Sequence, residues 1–128
     1  MAAASDSDDL STIAEALERL GLPFASLERA ETAELVRLAD AKLKFRHPLV
    51  RAAAYHRAEP TEQRNAHRAL AHALAGADED RRAWHLAAAA TAPDEDVAGL
   101  LAQAGLNARV RGAYAAAAAA LQRAAALT

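Results

Sequence analysis

The segment 45–51, Phe-Arg-His-Pro-Leu-Val-Arg, constrains the fold most, because an extended pattern changes to a helical pattern within it. The two runs before it, 35–38 and 42–45, alternate in character around a three-residue connection, which is typical of a β-hairpin. Pro48 suits the first position of a helix, where its missing N–H costs nothing, and His47 suits the N-cap. The sequence therefore predicts a hairpin that passes directly into a helix.

Few bulky side chains are available to build a core. Hydrophobic residues make up 53% of the 128, but many of them are alanines. The aromatic residues are Phe24, Phe45, Tyr55, Trp84 and Tyr114. Alanine favours helices and lets helix backbones approach closely, so we expect thin, closely packed helices. A chain of this length forms one compact domain or two small ones, and the fold class predicted is mainly α.

Charge and cysteine content exclude several classes of protein. The formal net charge of −2 gives no global attraction to nucleic acid or anionic lipid. The chain contains no cysteine, which excludes disulfides and thiolate metal sites. The first residues lack the basic segment of a signal peptide, and no apolar run reaches membrane-spanning length. We therefore expect a cytoplasmic protein in which residues 1–8 form a disordered acidic tail.

The first half of the chain is predicted to form a winged-helix-like domain at 9–58. A first helix is indicated by a capping-box pattern, Thr12 with Glu15, followed by bulky apolar residues on one face. The range 24–36 permits one helix or two short helices broken near Arg29. Two short helices followed by the hairpin would form a winged helix-turn-helix.

Residues 61–128 are predicted to form two tetratricopeptide-like helical hairpins. Acidic residues at 78–80 and 94–96 mark two helix starts, where the helix dipole favours negative charge. Trp84 is expected to be the main apolar anchor of the first of these helices. A test for an internal repeat of about 34 residues finds small residues at matching positions but a degenerate pattern. The last segment, Gly112-x-Tyr114-x-x-Ala117-x-x-x-Leu121-x-x-Ala124-x-x-Leu127, resembles the second helix of a tetratricopeptide repeat.

Three segments together resemble large ATP-binding LuxR-type transcriptional regulators of high-GC bacteria: Phe45–Arg51, Arg82–Leu86 and Arg111–Tyr114. The resemblance covers the chain from about Leu10 onward. It implies a segment that follows the signal-transduction ATPase domain, crosses a winged-helix domain and enters the first repeats of a superhelical sensor domain. The implied role is to relay effector binding in the repeats to the nucleotide-controlled ATPase.

The chain also departs from that family. It lacks a Gly-rich loop ending in Gly-Lys-Ser or Gly-Lys-Thr, so ATP or ADP is expected only in the intact protein. It also lacks a segment similar to the family's C-terminal DNA-reading helix-turn-helix. We therefore expect an excised fragment or a truncated relative that is not an enzyme. Its expected partners are the ATPase and repeat domains of the parent protein.

His47 is the candidate cofactor-binding residue. In related ATPases a histidine that opens a winged-helix helix contacts the β-phosphate of ADP, and the resemblance implies the same role for His47. An imidazole beside a helix N-terminus offers a donor where the dipole already favours an anion. The alternative is that His47 only caps the helix.

A winged helix also suggests DNA binding, with basic residues of the wing contacting phosphates. These residues are Arg37, Lys42, Lys44 and Arg46. Against this, the expected recognition helix around Ala30–Val36 carries Glu31 and Glu34, which repel phosphate. Domain packing is therefore favoured over direct DNA contact. The other alternative is a free-standing protein-interaction adaptor.

Other candidate residues lie in the repeat segment. The side chains of Trp84, Leu101, Tyr114 and Leu121 could line a ligand groove, but packing between helices is the favoured use of all four. The five histidines show no metal-ligand spacing, and no cysteine completes a set. Leu121 and Leu127 are expected to be exposed at the end of the repeats, which predicts self-association through the last helix.

Overall fold

The computed structural model describes residues 1–5 and 9–128, and in them the protein is mainly helical with one short antiparallel hairpin. The α-helices are α1 (Leu10–Arg19), α2 (Ala25–Thr32), α3 (Pro48–Arg57), α4 (Pro60–Leu74), α5 (Glu79–Ala89), α6 (Glu95–Val110) and α7 (Tyr114–Leu127). The strands are β1 (Val36–Ala39) and β2 (Lys42–Phe45). The chain divides into two compact units, Met1–Ala73 and Leu74–Thr128. Over the described ranges, every helix is too short or too polar to cross a lipid bilayer.

The hairpin forms where the sequence predicts it, with β1 beginning one residue later than expected. Val36 pairs with Phe45, and Leu38 pairs with Leu43. The turn residues Asp40 and Ala41 have φ values of 54° and 58°, the left-handed pair that fits the twist of a two-residue hairpin. One face packs on the helices and the other is exposed. The buried cluster beneath the hairpin consists of Ile13, Leu17, Leu27, Val36 and Leu43.

The start of α1 differs from the predicted capping box. Asp9 occupies the N-cap position, and the hydroxyls of Thr12 and Ser11 donate to its carboxylate at 2.8 and 2.9 Å. These hydrogen bonds, the one from Thr12 first, lower the pKa of Asp9. Thr12 therefore lies within the helix as a donor to the cap, because Asp9 offers a stronger acceptor than a threonine hydroxyl.

The range 24–36 contains a single helix, so the expected recognition helix around Ala30–Val36 is wrong. Helix α2 ends at Thr32, and Glu34 adopts a left-handed φ of 61°. The Glu34 N–H donates to the Glu31 carbonyl, and the Leu35 N–H donates to the Ala30 carbonyl. These two bonds form the usual reversal that closes a helix. The chain then enters β1 directly, because residues from Val36 onward pair with β2.

Residues 1–5 are ordered, where the sequence predicts a disordered tail over 1–8. Ala2–Ala4 form a short 3-10 helix that contacts α3. The Arg51 guanidinium donates to the carbonyl of Ala3 at 3.3 Å and to the carbonyl of Ser5. This arginine satisfies backbone acceptors that a free tail would leave to water. The remainder of the predicted tail, 6–8, lies outside the described residues.

The division between the units lies at 73/74, later than the boundary near 58–61 suggested by the sequence. Most of α4 belongs to the first unit, because Ala69 and Leu70 pack against Ala16 of α1. Leu70 is fully buried there. The change in composition at residues 59–61 therefore marks the start of α4 and not the end of the first compact unit.

Helices α5, α6 and α7 form consecutive antiparallel hairpins within the second unit. Asp80 near the start of α5 accepts from Asn107 at 2.9 Å and from Arg111 at 3.2 Å, near the end of α6. The Asp94 N–H before α6 donates to the carbonyl of Leu127 in α7 at 2.7 Å. The buried cluster of this unit consists of Ala83, Ala87, Val97, Ala98, Leu101, Ala104, Ala120, Ala124 and Leu127.

Candidate interface at the hairpin–helix junction

The junction between β2 and α3 confirms the predicted passage from strand to helix. The ladder continues one residue past β2, where the Arg46 N–H donates to the Leu35 carbonyl at 3.0 Å. His47 is extended, with φ −147° and ψ 141°, as a residue before proline prefers. Pro48 then begins α3. Local chemistry alone therefore fixes the direction in which the chain leaves the sheet.

His47 caps α3 through its side chain. Its Nδ1 accepts a hydrogen bond from the Leu49 N–H at 3.1 Å, and the residue is exposed. An imidazole that accepts at Nδ1 carries its proton on Nε2, so one N–H donor is left for another group. The capping role is confirmed. The phosphate-sensing role stays a prediction, because the same ring could serve both purposes.

The exposed face of the hairpin carries a row of basic side chains. The register places Arg37 opposite Lys44, with Lys42 and Arg46 two residues to either side of Lys44 on the same face. All four are exposed. Within the described part of the chain, none of their side chains forms a hydrogen bond or an ion pair. Like charges placed directly opposite destabilise a sheet, so this face would be stabilised by an anionic partner.

The nearby acidic side chain of Glu31 does not neutralise this row. The carboxylate of Glu31 in α2 accepts from the Leu38 N–H at 2.7 Å. That bond occupies an outward-facing donor at the edge of β1, a group that would otherwise require water. Glu31 thus supports the hairpin backbone instead of pairing with an arginine or lysine. The acidic side chain of Glu31 therefore belongs to α2 and not to the exposed face of the hairpin.

Two exposed leucines flank the basic row, and sequence reasoning did not single them out. Leu49 in the first turn of α3 is 71% exposed, and Leu35 beside β1 is 46% exposed. Leu35 lies just before β1, two residues from Arg37, and it also lines a cavity with Val36 and Phe45. An apolar side chain near basic ones is more typical of a protein interface than of a surface that contacts phosphates alone.

Sequence reasoning also missed a polar pair between α3 and α4. The Tyr55 hydroxyl lies 2.9 Å from Nε2 of His67, and His67 is buried. The Gln63 amide donates to the carbonyl of Tyr55 at 2.7 Å and to that of Ala58 at 3.3 Å, near the end of α3. These contacts fix the connection between two helices and have a structural role. Among the described residues, no group of three or more metal-binding side chains occurs.

The residues of the repeat segment that the sequence analysis named differ in how exposed they are. Leu101 is fully buried, as predicted for packing between helices. Tyr114 is 70% exposed, and Trp84 and Leu121 are 37% and 41% exposed, so they are not simple core residues. Leu127 is 3% exposed, and the prediction that it is exposed is wrong. It lies on the buried face of α7, three residues after the buried Ala124, and its neighbours in the cluster cover it.

Arg81 and Arg82 are paired with acidic residues at the start of the same helix. Arg81 lies 3.5 Å from Asp78, and Arg82 lies 2.9 Å from Glu79. Asp80 instead pairs with Arg111, the residue directly after α6, at 3.2 Å. These arginines therefore offer little free charge to an anion, in contrast to the basic row on the hairpin.

Comparison with family models, with curated proteins and with solved structures finds no match to this chain. The resemblance to LuxR-type regulators therefore remains a prediction.

Proposed function

We propose that this protein is a non-catalytic interaction and relay module that docks an anionic group of a partner on the junction between its hairpin and α3. The observation that carries the proposal is the row of exposed basic side chains that have no partner among residues 1–5 and 9–128: Arg37, Lys42, Lys44 and Arg46. The Nε2–H of His47 lies at the end of the same strand and adds one donor for an anion, and the dipole of α3 favours negative charge at this point.

In a LuxR-type regulator, the partner would be the nucleotide-binding domain and the anion the β-phosphate of bound ADP. His47 would donate to a phosphate oxygen while Nδ1 keeps its bond to the Leu49 N–H. The basic row would pack on acidic surface around the nucleotide. Helices of the second unit would belong to the sensor repeats whose effector state is relayed.

A free-standing adaptor is the second candidate function. The exposed leucines Leu35 and Leu49 favour it, because apolar side chains among basic ones suit an acidic peptide or protein surface without a nucleotide. DNA reading is less favoured. Helix α2 is 8 residues long and carries Glu28 and Glu31, and its Arg29 donates to Ser26 instead of extending freely.

The proposal is tested by nuclear magnetic resonance titration of the 128-residue chain with ADP, and with adenosine as the ligand without phosphate. We expect ADP to shift the signals of His47, Lys44 and Arg46 with an affinity of roughly millimolar, since most of the partner surface is missing. Adenosine should leave them unchanged. His47→Ala should remove the response at α3, whereas His72→Ala, at an exposed histidine of α4, should not.

Three results would contradict the proposal. Equal shifts with ADP and adenosine would exclude phosphate recognition, and no shift at saturating ADP would leave the adaptor as the better description. Binding to a duplex DNA that weakens steeply with salt would assign the basic row to nucleic acid instead.

A further inference from the structure

Residues 1–5, which we call the strap, form a short 3-10 turn that contacts α3. The Ala4 N–H donates to the Met1 carbonyl at 2.9 Å. The Ser5 N–H donates to the Ala2 carbonyl at 3.1 Å. After Met1 the strap contains only alanines and a serine, so its side chains bury little apolar area. Packing of the strap's own side chains therefore holds it only weakly.

Two mainly apolar cavities border the strap. One, of about 210 Å³, is lined by residues of α3 and α4, and the other, of about 260 Å³, lies between α2, the hairpin and α3. Protein interiors contain few voids larger than a water molecule, so the strap lacks packing contacts where it borders these cavities. Four residues line both cavities: Met1, Ala3, Leu22 and Ala54. The two cavities therefore adjoin at the strap.

The side chain of Arg51 in α3 holds the strap in place. Its Nε donates to the carbonyl of Ala3 at 3.3 Å, and its Nη2 donates to the carbonyl of Ser5. Over the ranges 1–5 and 9–128, this guanidinium forms no ion pair with a carboxylate. Hydrogen bonds from a charged donor contribute more than those between neutral groups, so these two bonds are the stronger restraint on the strap.

The two ends of the strap differ in burial. Ser5 is 3% exposed, whereas residues 1–4 are half-buried. A half-buried segment that borders cavities opens at a lower free energy than a packed core element. Movement of the strap is therefore confined to residues 1–4, with Ser5 as the fixed end.

We propose that the strap opens and closes over the first unit, that Arg51 keeps it closed, and that opening joins the two cavities into one apolar groove. In the closed state residues 1–4 cover this groove, and Arg51 spans the Ala3 and Ser5 carbonyls. In the open state the Ala3 carbonyl is released and the apolar walls on α3 and the hairpin become accessible. The strap thus controls access to an apolar surface of the protein. The proposal does not use the basic row and is independent of the proposed function.

Amide hydrogen exchange of the 128-residue chain tests the role of Arg51, because the Ala4 and Ser5 N–H groups are bonded while the strap is closed. Arg51→Ala should accelerate exchange at these two amides at least roughly tenfold and change the core amides of α1 and α4 less than roughly twofold. The matched control is Arg57→Ala, at an exposed arginine of the same helix. Arg51→Lys should give an intermediate acceleration, because an ammonium lacks the planar fork that spans two carbonyls.

Fluorescence of Nile red, an uncharged apolar dye, tests the groove. Arg51→Ala should bind the dye at least roughly fivefold more tightly than wild type, since the open state exposes apolar walls. Adding Ala54→Glu to Arg51→Ala should remove this gain, because Ala54 lines both cavities and a charge is costly there. Adding Ala53→Glu, at an exposed neighbouring position that lines neither cavity, should preserve it. Circular dichroism checks that each variant keeps its helical content.

Four results would overturn the proposal. Unchanged exchange at Ala4 and Ser5 in both Arg51 variants would show that Arg51 does not hold the strap. Equal acceleration in Arg57→Ala would remove its specificity. Acceleration of all amides of the first unit together would mean that Arg51 stabilises the whole unit and not the strap. Dye binding that responds equally to Ala54→Glu and Ala53→Glu would exclude the joined groove.

Discussion

The two compact units of this protein build their cores from different side chains. The cluster beneath the hairpin in the first unit contains five residues, all leucine, isoleucine or valine, whereas a smaller cluster of that unit contains Ala16, Ala69 and Leu70. The cluster in the second unit contains nine residues, and six of them are alanines. Large side chains can fill space between helices and a sheet at varied distances, whereas alanine requires helix backbones to lie close together. The second core therefore depends more on the exact separation of its helices.

The units also differ in how they reverse the chain. Among the described residues, the non-glycine positions with positive φ are Glu34, Asp40 and Ala41, and they lie in the first unit. The second unit uses Gly76 and Gly112 at its positive-φ positions. A left-handed conformation is costly for a residue with a Cβ, so the first unit retains local strain at these three residues. The second unit avoids that strain.

The largest change in the free energy of unfolding is expected when one buried leucine is removed from each core. Leu101→Ala should reduce the free energy of unfolding by about 4 kcal/mol, and Leu43→Ala by about 2–3 kcal/mol, within the range for such deletions. Leu101 has alanine neighbours that cannot rotate to fill the cavity, whereas Leu43 lies among residues with rotatable side chains. Native-state amide hydrogen exchange measures the stability of each of the two units separately. Equal losses, or a larger loss for Leu43→Ala, would show that the alanine core collapses more readily than its composition suggests.

Local signals in the sequence predicted several elements well. The acidic residues at two helix starts became caps, with Asp78 accepting from the Arg81 N–H at 3.1 Å and Asp94 accepting from the Val97 N–H at 3.0 Å. The passage from β2 through His47 into α3 was also predicted from neighbouring residues. Each of these features depends on residues within four positions of one another, so a pattern read along the chain contains the needed information.

Other features could not be predicted because they depend on distant residues or on unusual backbone. The end of α2 was missed because glutamate at position 34 takes a conformation normally given to glycine. The burial of Leu127 depends on α5 and α6, which no pattern within α7 reveals. The basic row of the candidate interface combines two strands, so it appears only when the register that sets Arg37 against Lys44 is known.

Two glycines in α6 provide a second test, with smaller expected effects, of how closely the helices of the second unit must pack. A Cβ at Gly105 would lie 3.0 Å from Cγ of Leu121 and 3.3 Å from the Ala117 carbonyl oxygen, whereas a Cβ at Gly99 meets nothing within 4 Å. Gly99→Ala should raise the free energy of unfolding by about 0.5–1 kcal/mol through helix propensity. Gly105→Ala should lower it by about 1 kcal/mol, because the crowding of α6 against α7 exceeds the same gain.

Urea denaturation followed by Trp84 fluorescence measures both variants, since the chain has a single tryptophan and it lies in this unit. A stabilising Gly105→Ala would mean that Leu121, which is 41% exposed, moves aside and that α6 and α7 do not require a glycine at their contact.

The smallest effect is expected at the hairpin turn of the first unit. Ala41 has a φ of 58°, so its Cβ is strained by about 1–2 kcal/mol. Ala41→Gly removes that strain but also increases the conformational freedom of the unfolded chain, which offsets about 0.4–1 kcal/mol. The net expectation is a stabilisation of about 0.5–1 kcal/mol, measured by hydrogen exchange of the β1 and β2 amides. The matched control, Ala39→Gly in β1, should destabilise the hairpin, because that position is extended and glycine weakens a strand interior. If both variants destabilise the hairpin equally, the strain at the turn is negligible, and the difference in chain reversal between the two units has no energetic consequence.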